Sequence, residues 1–201
     1  MKVNLFVPYS RAYISRKYNV TGEDIFYLVE NDIIPNFLKK ISTINRVKKI
    51  FFYSNEIIMK NNSSKSKLEF IDRPPESYLV DSRQELISLI NLPTEHEPLI
   101  FVNPLFPLIS AETMNKFIDA MEFHQKNVFL GFTGNIRHKN KNYFSELERH
   151  HYWDYGALTG YFDESKLHEW KVFEDFSFTE MVSIRNLNDI SIIKTIQSMG
   201  R

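Results

Sequence analysis

The sequence predicts a three-layer α/β/α fold around a mainly parallel sheet, and three observations carry that expectation. Short apolar runs alternate with helix-patterned stretches through the first two thirds of the chain, the rhythm of strands joined by crossover helices. One run, Leu99–Val102, leads through a proline-punctuated loop into a helix. Ser110 is the N-cap of that helix, and Met114, Phe117, Ile118 and Met121 supply its apolar face at i, i+3, i+4, i+7. A strand that opens through a loop into a helix is where open α/β sheets bind ligands. Third, 201 residues with 43% hydrophobic content are enough for one good-sized core, so one domain over residues 1–201 is expected.

Val3–Val7 reads as the first strand, closed by Pro8. Gly22–Lys40 is helical: Ile25, Leu28, Val29, Ile33, Phe37 and Leu38 drift around one face, and Pro35 marks a kink or the first turn of a second helix. Val47–Tyr53 is the second strand, followed by a short helix and the polar run Asn61–Lys67. Leu68–Ile71 is a short strand that ends in Asp72-Arg-Pro-Pro75. Asp81 as N-cap with Gln84 at N3 opens a helix that runs to Ile90. Asn127–Phe132 is the next strand. Residues 134–151 break the rhythm: they are polar and basic and read as an excursion from the sheet. The chain returns through a strand at Tyr155–Phe162, a helix at Glu164–Trp170, a last strand at Glu180–Ile184 and a last helix at Asn188–Met199.

Composition excludes several classes of function. Lys+Arg and Asp+Glu both number 25, so no global field favours nucleic acid or an anionic membrane. The absence of cysteine removes thiolate nucleophiles, disulfides and cysteine metal sites and fits a cytoplasmic setting. The first apolar run, Val3–Val7, is interrupted by Asn4 and is too short for a signal core or a membrane span. Seventeen Phe and ten Tyr are a heavy aromatic load, expected to go into packing. The histidines His124, His138, His150 and His151, with Glu146 and Glu148, show no metal-ligand spacing, and no phosphate-binding or dinucleotide glycine motif occurs. No metal ligand is therefore assigned.

Four stretches in order carry a resemblance. They are Val7-Pro8 with Arg16-Lys17-Tyr-Asn19, Phe70-Ile-Asp-Arg-Pro-Pro-Glu-Ser-Tyr-Leu-Val-Asp81, Asn103-Pro-Leu-Phe-Pro-Leu108, and Met181-Val-Ser-Ile-Arg-Asn-Leu-Asn-Asp189. Together they make nearly the whole chain resemble the acylneuraminate cytidylyltransferases, which make CMP-activated acidic sugars, and their relatives of the nucleotide-diphospho-sugar transferase fold. The resemblance implies a Rossmann-like sheet, a nucleotide or nucleotide-sugar ligand, Mg²⁺ where nucleotidyl transfer persists, and a homodimer. It implies an arm within 134–155 on which Arg137, Lys139 and Lys141 meet an acidic sugar of the neighbouring subunit. It implies a catalytic role for Lys17 and Arg11, and nucleotide contacts from Arg11, Arg16, Lys17, Ser54 and Asn103.

The chain departs from that family's pattern at the groups that do the chemistry. The family's phosphate loop contains glycine, which lets backbone approach phosphate; Pro8–Asn19 here is shorter and has none. Ser54-Asn55 stands where a Thr-Asp pair is usual. Leu105, Phe106 and Ile109 occupy places that normally hold hydroxyl and basic residues. Ser183-Ile-Arg185 replaces an Asp-x-Asp metal pair, and Asp189, four residues on, fits a helix-capping role better than a ligand's. Two functions follow: a divergent nucleotidyltransferase, or a relative that kept the fold for binding or interaction and lost the metal-dependent reaction.

Overall fold

The computed structural model describes residues 1–18, 20–55, 67–73, 98–131, 156–161 and 170–199. Seven strands form one mixed sheet in the order β3-β2-β1-β4-β6-β5-β7. They are β1 (Val3–Tyr9), β2 (Val47–Ser54), β3 (Leu68–Asp72), β4 (Leu99–Val102), β5 (Asn127–Gly131), β6 (Gly156–Tyr161) and β7 (Trp170–Val172). All neighbours run parallel except β6, which is antiparallel to β4 and to β5. The mainly parallel three-layer architecture expected from sequence is the one observed.

Both faces of the central strands are largely buried, which is why their sequences are mostly apolar, Asn4, Ser54 and the exposed Lys48 and Lys49 excepted. Leu5, Val7, Ile50, Phe52, Ile100 and Val102 belong to the larger core. The alternate residues Phe6, Phe51, Tyr53, Leu99 and Phe101 build a second core with Tyr161. Its rings form a ladder across four strands, Tyr53 to Phe6 at 5.4 Å, Phe6 to Phe101 at 5.0 Å and Phe101 to Tyr161 at 5.5 Å between centroids. Much of the aromatic load is thus cross-strand packing.

The described helices are α1 (Arg11–Tyr18), α2 (Glu23–Leu28), α3 (Ile34–Ser42), α4 (Ala111–His124) and α5 (Leu187–Met199). A π-helical segment, Val29–Ile33, joins α2 to α3. Pro35 explains it. Proline has no N–H to donate and its ring crowds the carbonyl four residues earlier, so the preceding turn widens, and Ile34 N–H reaches back to Val29 O. Ser110 caps α4 as expected, accepting from Thr113 N–H. Helix α4 lies close on β6: a Cβ added at Gly160 would come within 2.8 Å of Phe117 Cε1.

Three expectations are corrected. The expected loop from Pro8 is helix over Arg11–Tyr18, because α1 starts two residues after β1, and Ile14 N–H bonds Ser10 O at 3.0 Å. With no glycine and with Arg, Ala and Lys among its residues, the segment favours helix. Glu180–Ile184 is not a strand. Ser177 and Glu180 form a capping box that winds Phe178–Met181 into a 3₁₀ turn, and Ile184 N–H then bonds Leu105 O, in a loop. Trp170 opens β7, which pairs with β5, rather than closing a helix. The rest of that helix, the one expected at 81–90 and the arm at 134–155 lie outside the described residues.

Candidate nucleotide site

Chain order reverses between β1 and β4. From β1 the chain steps outward through β2 and β3, then crosses back to place β4 on the other side of β1. Such a switch point, at the carboxyl ends of the strands, is where open α/β sheets make a crevice. Pro8 helps to open it. Val3 N–H bonds Arg46 O before β2, whereas Asn4 N–H bonds Pro98 O before β4, so the even-numbered amides of β1 face β4. Pro8 is the even-numbered residue that has no amide hydrogen, and pairing of β1 with β4 ends at Phe6–Phe101, while pairing with β2 runs on to Tyr9–Ser54.

Of the residues expected in the site, Arg11, Ser54 and Asn103 lie along the carboxyl edge of the three consecutive strands β2, β1 and β4. Ser54 is the buried last residue of β2, opposite Tyr9. Asn103 directly follows β4; its Oδ1 accepts from Leu105 N–H at 3.0 Å, an Asx turn that starts the loop. Arg11 begins α1. Its Nε and Nη2 donate to the two carboxylate oxygens of Glu30, each at 2.5 Å, and its Nη1 donates to Glu23 Oε2 at 3.2 Å. Its guanidinium lies 5.7 Å from the centre of the Phe26 ring. Arg16 and Lys17 follow on α1, with side chains outside the described residues, as are Arg137, Lys139 and Lys141.

Glu30 escaped the sequence reading. It sits in the π segment at 1% exposure, and Tyr9 Oη donates to its Oε1 at 2.8 Å. A signal was present: Glu30 stands on the stripe of Phe26, Ile33 and Phe37, all buried, and an acid on an apolar stripe requires a partner.

The loop after β4 is built differently. Leu105, Phe106 and Ile109 are buried and point into the larger core. Glu180 reaches across to this loop, accepting from Ser110 N–H at 2.7 Å, Thr113 Oγ1 at 2.9 Å and Ser177 N–H at 2.8 Å. Burial raises its pKa, but these bonds outweigh burial and hold the carboxyl below its ordinary value. Lys40 Nζ donates to Pro107 O at 2.9 Å; burial lowers its pKa from 10.5 to about 8, against an opposing pull from Glu180.

The described residues do not fit a magnesium ion. Asp189 Oδ2 accepts from Arg185 N–H at 2.9 Å and Asn186 N–H at 3.1 Å, while Asn186 Oδ1 accepts from Asn188 and Asp189 N–H. This reciprocal cap starts α5 and engages one oxygen of the carboxylate. Arg185 Nε lies 3.6 Å from the same oxygen, a cation where a metal would need an anion. Among the described residues no three His, Asp or Glu side chains gather to hold a metal.

No protein-family model matches the sequence, and no curated protein does. Solved structures do. A 4-diphosphocytidyl-2C-methyl-D-erythritol synthase from Anaerococcus prevotii matches with TM-score 0.58 and 14% identity over 98% of this chain and 96% of that one. A CMP:2-keto-3-deoxy-manno-octonic acid synthetase, in complex with CTP, matches with TM-score 0.57 and 9% identity over all of both chains. A 2-C-methyl-D-erythritol 4-phosphate cytidylyltransferase from Thermus thermophilus matches with TM-score 0.54 and 9% identity over 98% of each. At these identities the likeness is one of fold. The chain has the fold of cytidylyltransferases. No described helix is long and apolar enough to cross a membrane.

Proposed function

We propose that this protein binds a cytidine nucleotide or nucleotide-sugar in the crevice between β1 and β4. The observation that carries the reading is the opened end of the β1–β4 ladder with Arg11 on its rim, in a fold shared along its length with cytidylyltransferases. One of the similar structures was solved with CTP. In this reading Arg11, Arg16 and Lys17 supply charge to the phosphates, Lys17 and Arg11 act on the reacting phosphate, and Ser54 and Asn103 contact the nucleoside. The acceptor is an acidic sugar, met by Arg137, Lys139 and Lys141 from the second subunit of a homodimer.

A second reading is favoured by the β4 side. The apolar residues of its loop are core, and Asp189 is committed to a helix cap. A chain so arranged binds nucleotide without the ordinary metal-assisted transfer, and acts as a binding or interaction module. No step through magnesium is therefore derived.

The test is thermal shift and calorimetric titration against CTP, CMP, UTP, ATP and GTP, each with and without Mg²⁺. A nucleotide at a hundredfold excess over its Kd stabilises the native protein by about 2.7 kcal/mol. The expected result is a shift with CTP that Lys17→Ala abolishes. A shift that requires Mg²⁺ favours the transferase, and one indifferent to Mg²⁺ favours the binding module. No shift with any nucleotide overturns nucleotide binding in the crevice and leaves the interaction module.

A further inference from the structure

We infer that the outward face of α4 is a self-association surface, on which a second copy of this chain packs antiparallel about a two-fold axis, Phe123 of each copy against Phe178 of the other. This surface needs no ligand and stands apart from the nucleotide reading of the crevice.

Helix α4 turns Thr113, Met114, Phe117, Ile118 and Met121 inward. At about 100° per residue, Glu112, Lys116, Asp119 and Phe123 then share the opposite face. Phe178 at 90% exposure and Phe123 at 83% are the two most exposed large apolar side chains among the described residues. Both stand on backbone that is held in place. Phe123 projects from the last turn of a helix whose other face is core, edge-on to His124 at 4.9 Å between centroids. Phe178 lies in the 3₁₀ turn that Ser177 and Glu180 cap, and Glu180 ties this turn to the start of α4 through Ser110 and Thr113. The two rings thus mark opposite ends of one helix, about 21 Å long for its 14 residues. Large apolar groups displayed on fixed backbone mark interaction sites, because little ordering is left to do on binding.

The charges at the two ends are opposite. At the Phe178 end, Lys116 meets both Glu112 and Asp175, one cation for two carboxylates. At the Phe123 end, Arg46 and the Met1 ammonium match Asp119 and Glu122. Lys171 adds a further cation there. The chain from β7 onward runs antiparallel to α4, with Phe173 on Phe117 and Asp175 at Lys116. Lys171, two residues before Phe173 and on the same side by strand alternation, is therefore exposed toward the carboxyl end of α4. One helix carries an apolar anchor with an acidic rim at its amino end and one with a basic rim at its carboxyl end. Two copies set antiparallel bring unlike ends together twice, as a two-fold axis requires of a self-complementary surface. Set parallel, they would bring like charges together.

Sedimentation velocity of the full chain without nucleotide, over a concentration series, is the test. A monomer–dimer equilibrium is expected, with no larger species. Phe123→Ser and Phe178→Ser should each raise the dimer dissociation constant at least about 10-fold, because the two-fold uses each ring twice. Both rings are exposed, so the urea midpoints of these variants should stay at the wild-type value. Lys171→Glu and Glu112→Lys should each weaken the dimer about 3-fold, and the two together should bring it back to within about 2-fold of wild type. A chain that stays monomeric throughout the series overturns the inference. So does a dimer that both serine variants leave intact, because the copies then meet elsewhere. Growth past the dimer overturns the two-fold in favour of an open head-to-tail chain. A double charge variant weaker than either single one shows that the unlike ends do not meet, and overturns the antiparallel arrangement.

Discussion

Two buried glutamates flank the switch point, and the chain uses them in opposite ways. Glu30, on the β1 side, is met by side chains: a phenol and a guanidinium that also contacts the exposed carboxylate of Glu23. Glu180, on the β4 side, is met mainly by backbone: two amides from separate segments, together with the Thr113 hydroxyl. Both sit in helical turns that depart from α geometry, a π segment and a 3₁₀ turn. The difference teaches how each buried acid is held. Around Glu180 the donors are mainly backbone amides, whereas around Glu30 they are side chains, the Tyr9 hydroxyl and the Arg11 guanidinium.

The largest expected effect comes from breaking the β1 pair. Glu30→Ala removes the buried acceptor of Arg11 and of Tyr9 Oη and should cost about 2–3 kcal/mol, read as a lower urea midpoint. Arg11→Met combined with Glu30→Leu should recover most of that loss, because an apolar pair needs no desolvation. A double variant as unstable as Glu30→Ala would break the comparison, since the bond from Tyr9 rather than the pair with Arg11 would then carry the stability.

Much of the fold was legible because the strands announce themselves. Val3–Val7, Val47–Tyr53 and Leu99–Val102 are apolar runs whose two faces both enter cores, and Ser110 with its i, i+3, i+4, i+7 stripe fixed α4. Pro35 pointed to a disturbed helix, though its consequence, a π turn that carries Glu30, was not foreseen. The failure at Glu180–Ile184 has a physical cause: local capping outweighed apolar pattern. Glu180-Met-Val-Ser-Ile184 looks like a strand until Ser177 is paired with Glu180 as a capping box three residues apart. The site was half legible. Arg11, Ser54 and Asn103 do lie along one edge of the sheet. Their partners were hidden because the β1–β2 connection folds back on itself and brings Arg11 against Glu30, nineteen positions on.

A smaller effect sharpens the β4 half. Glu180→Gln keeps the size of the side chain but lowers its accepting power toward Ser110 and Ser177, and should cost about 2 kcal/mol at neutral pH. The acid dependence follows from the depressed carboxyl. Its stabilisation is complete above the ordinary value of 4.5 and drains away as pH falls through the lower folded value. The wild type should therefore lose an increment of stability in acid that Glu180→Gln lacks, so the gap between the two urea midpoints should narrow below pH 4.5. A gap that stays constant would mean that Glu180 is held by shape and not by charge.

The smallest effect tests whether Lys40 belongs to the same structural unit. Its ammonium touches Pro107 O in the loop that Glu180 anchors, and burial brings its pKa down to about 8. For a lysine the sign is the reverse of the carboxylate case. Between about 8 and 10.5 the unfolded chain holds the proton and the folded one releases it, so stability from this group rises with pH. Relative to Lys40→Met, the wild type should gain about 1 kcal/mol as pH goes from about 8 to about 9. Lys40→Met also removes the bond to Pro107, but that loss shifts the whole profile and leaves its slope alone. Parallel profiles would sink the assignment. Glu180 raises the Lys40 pKa by its charge, so in Glu180→Gln the rise should begin at lower pH. That displacement would tie both groups to one loop. Its absence would confine Lys40 to α3 and leave the β4 side held by Glu180 alone.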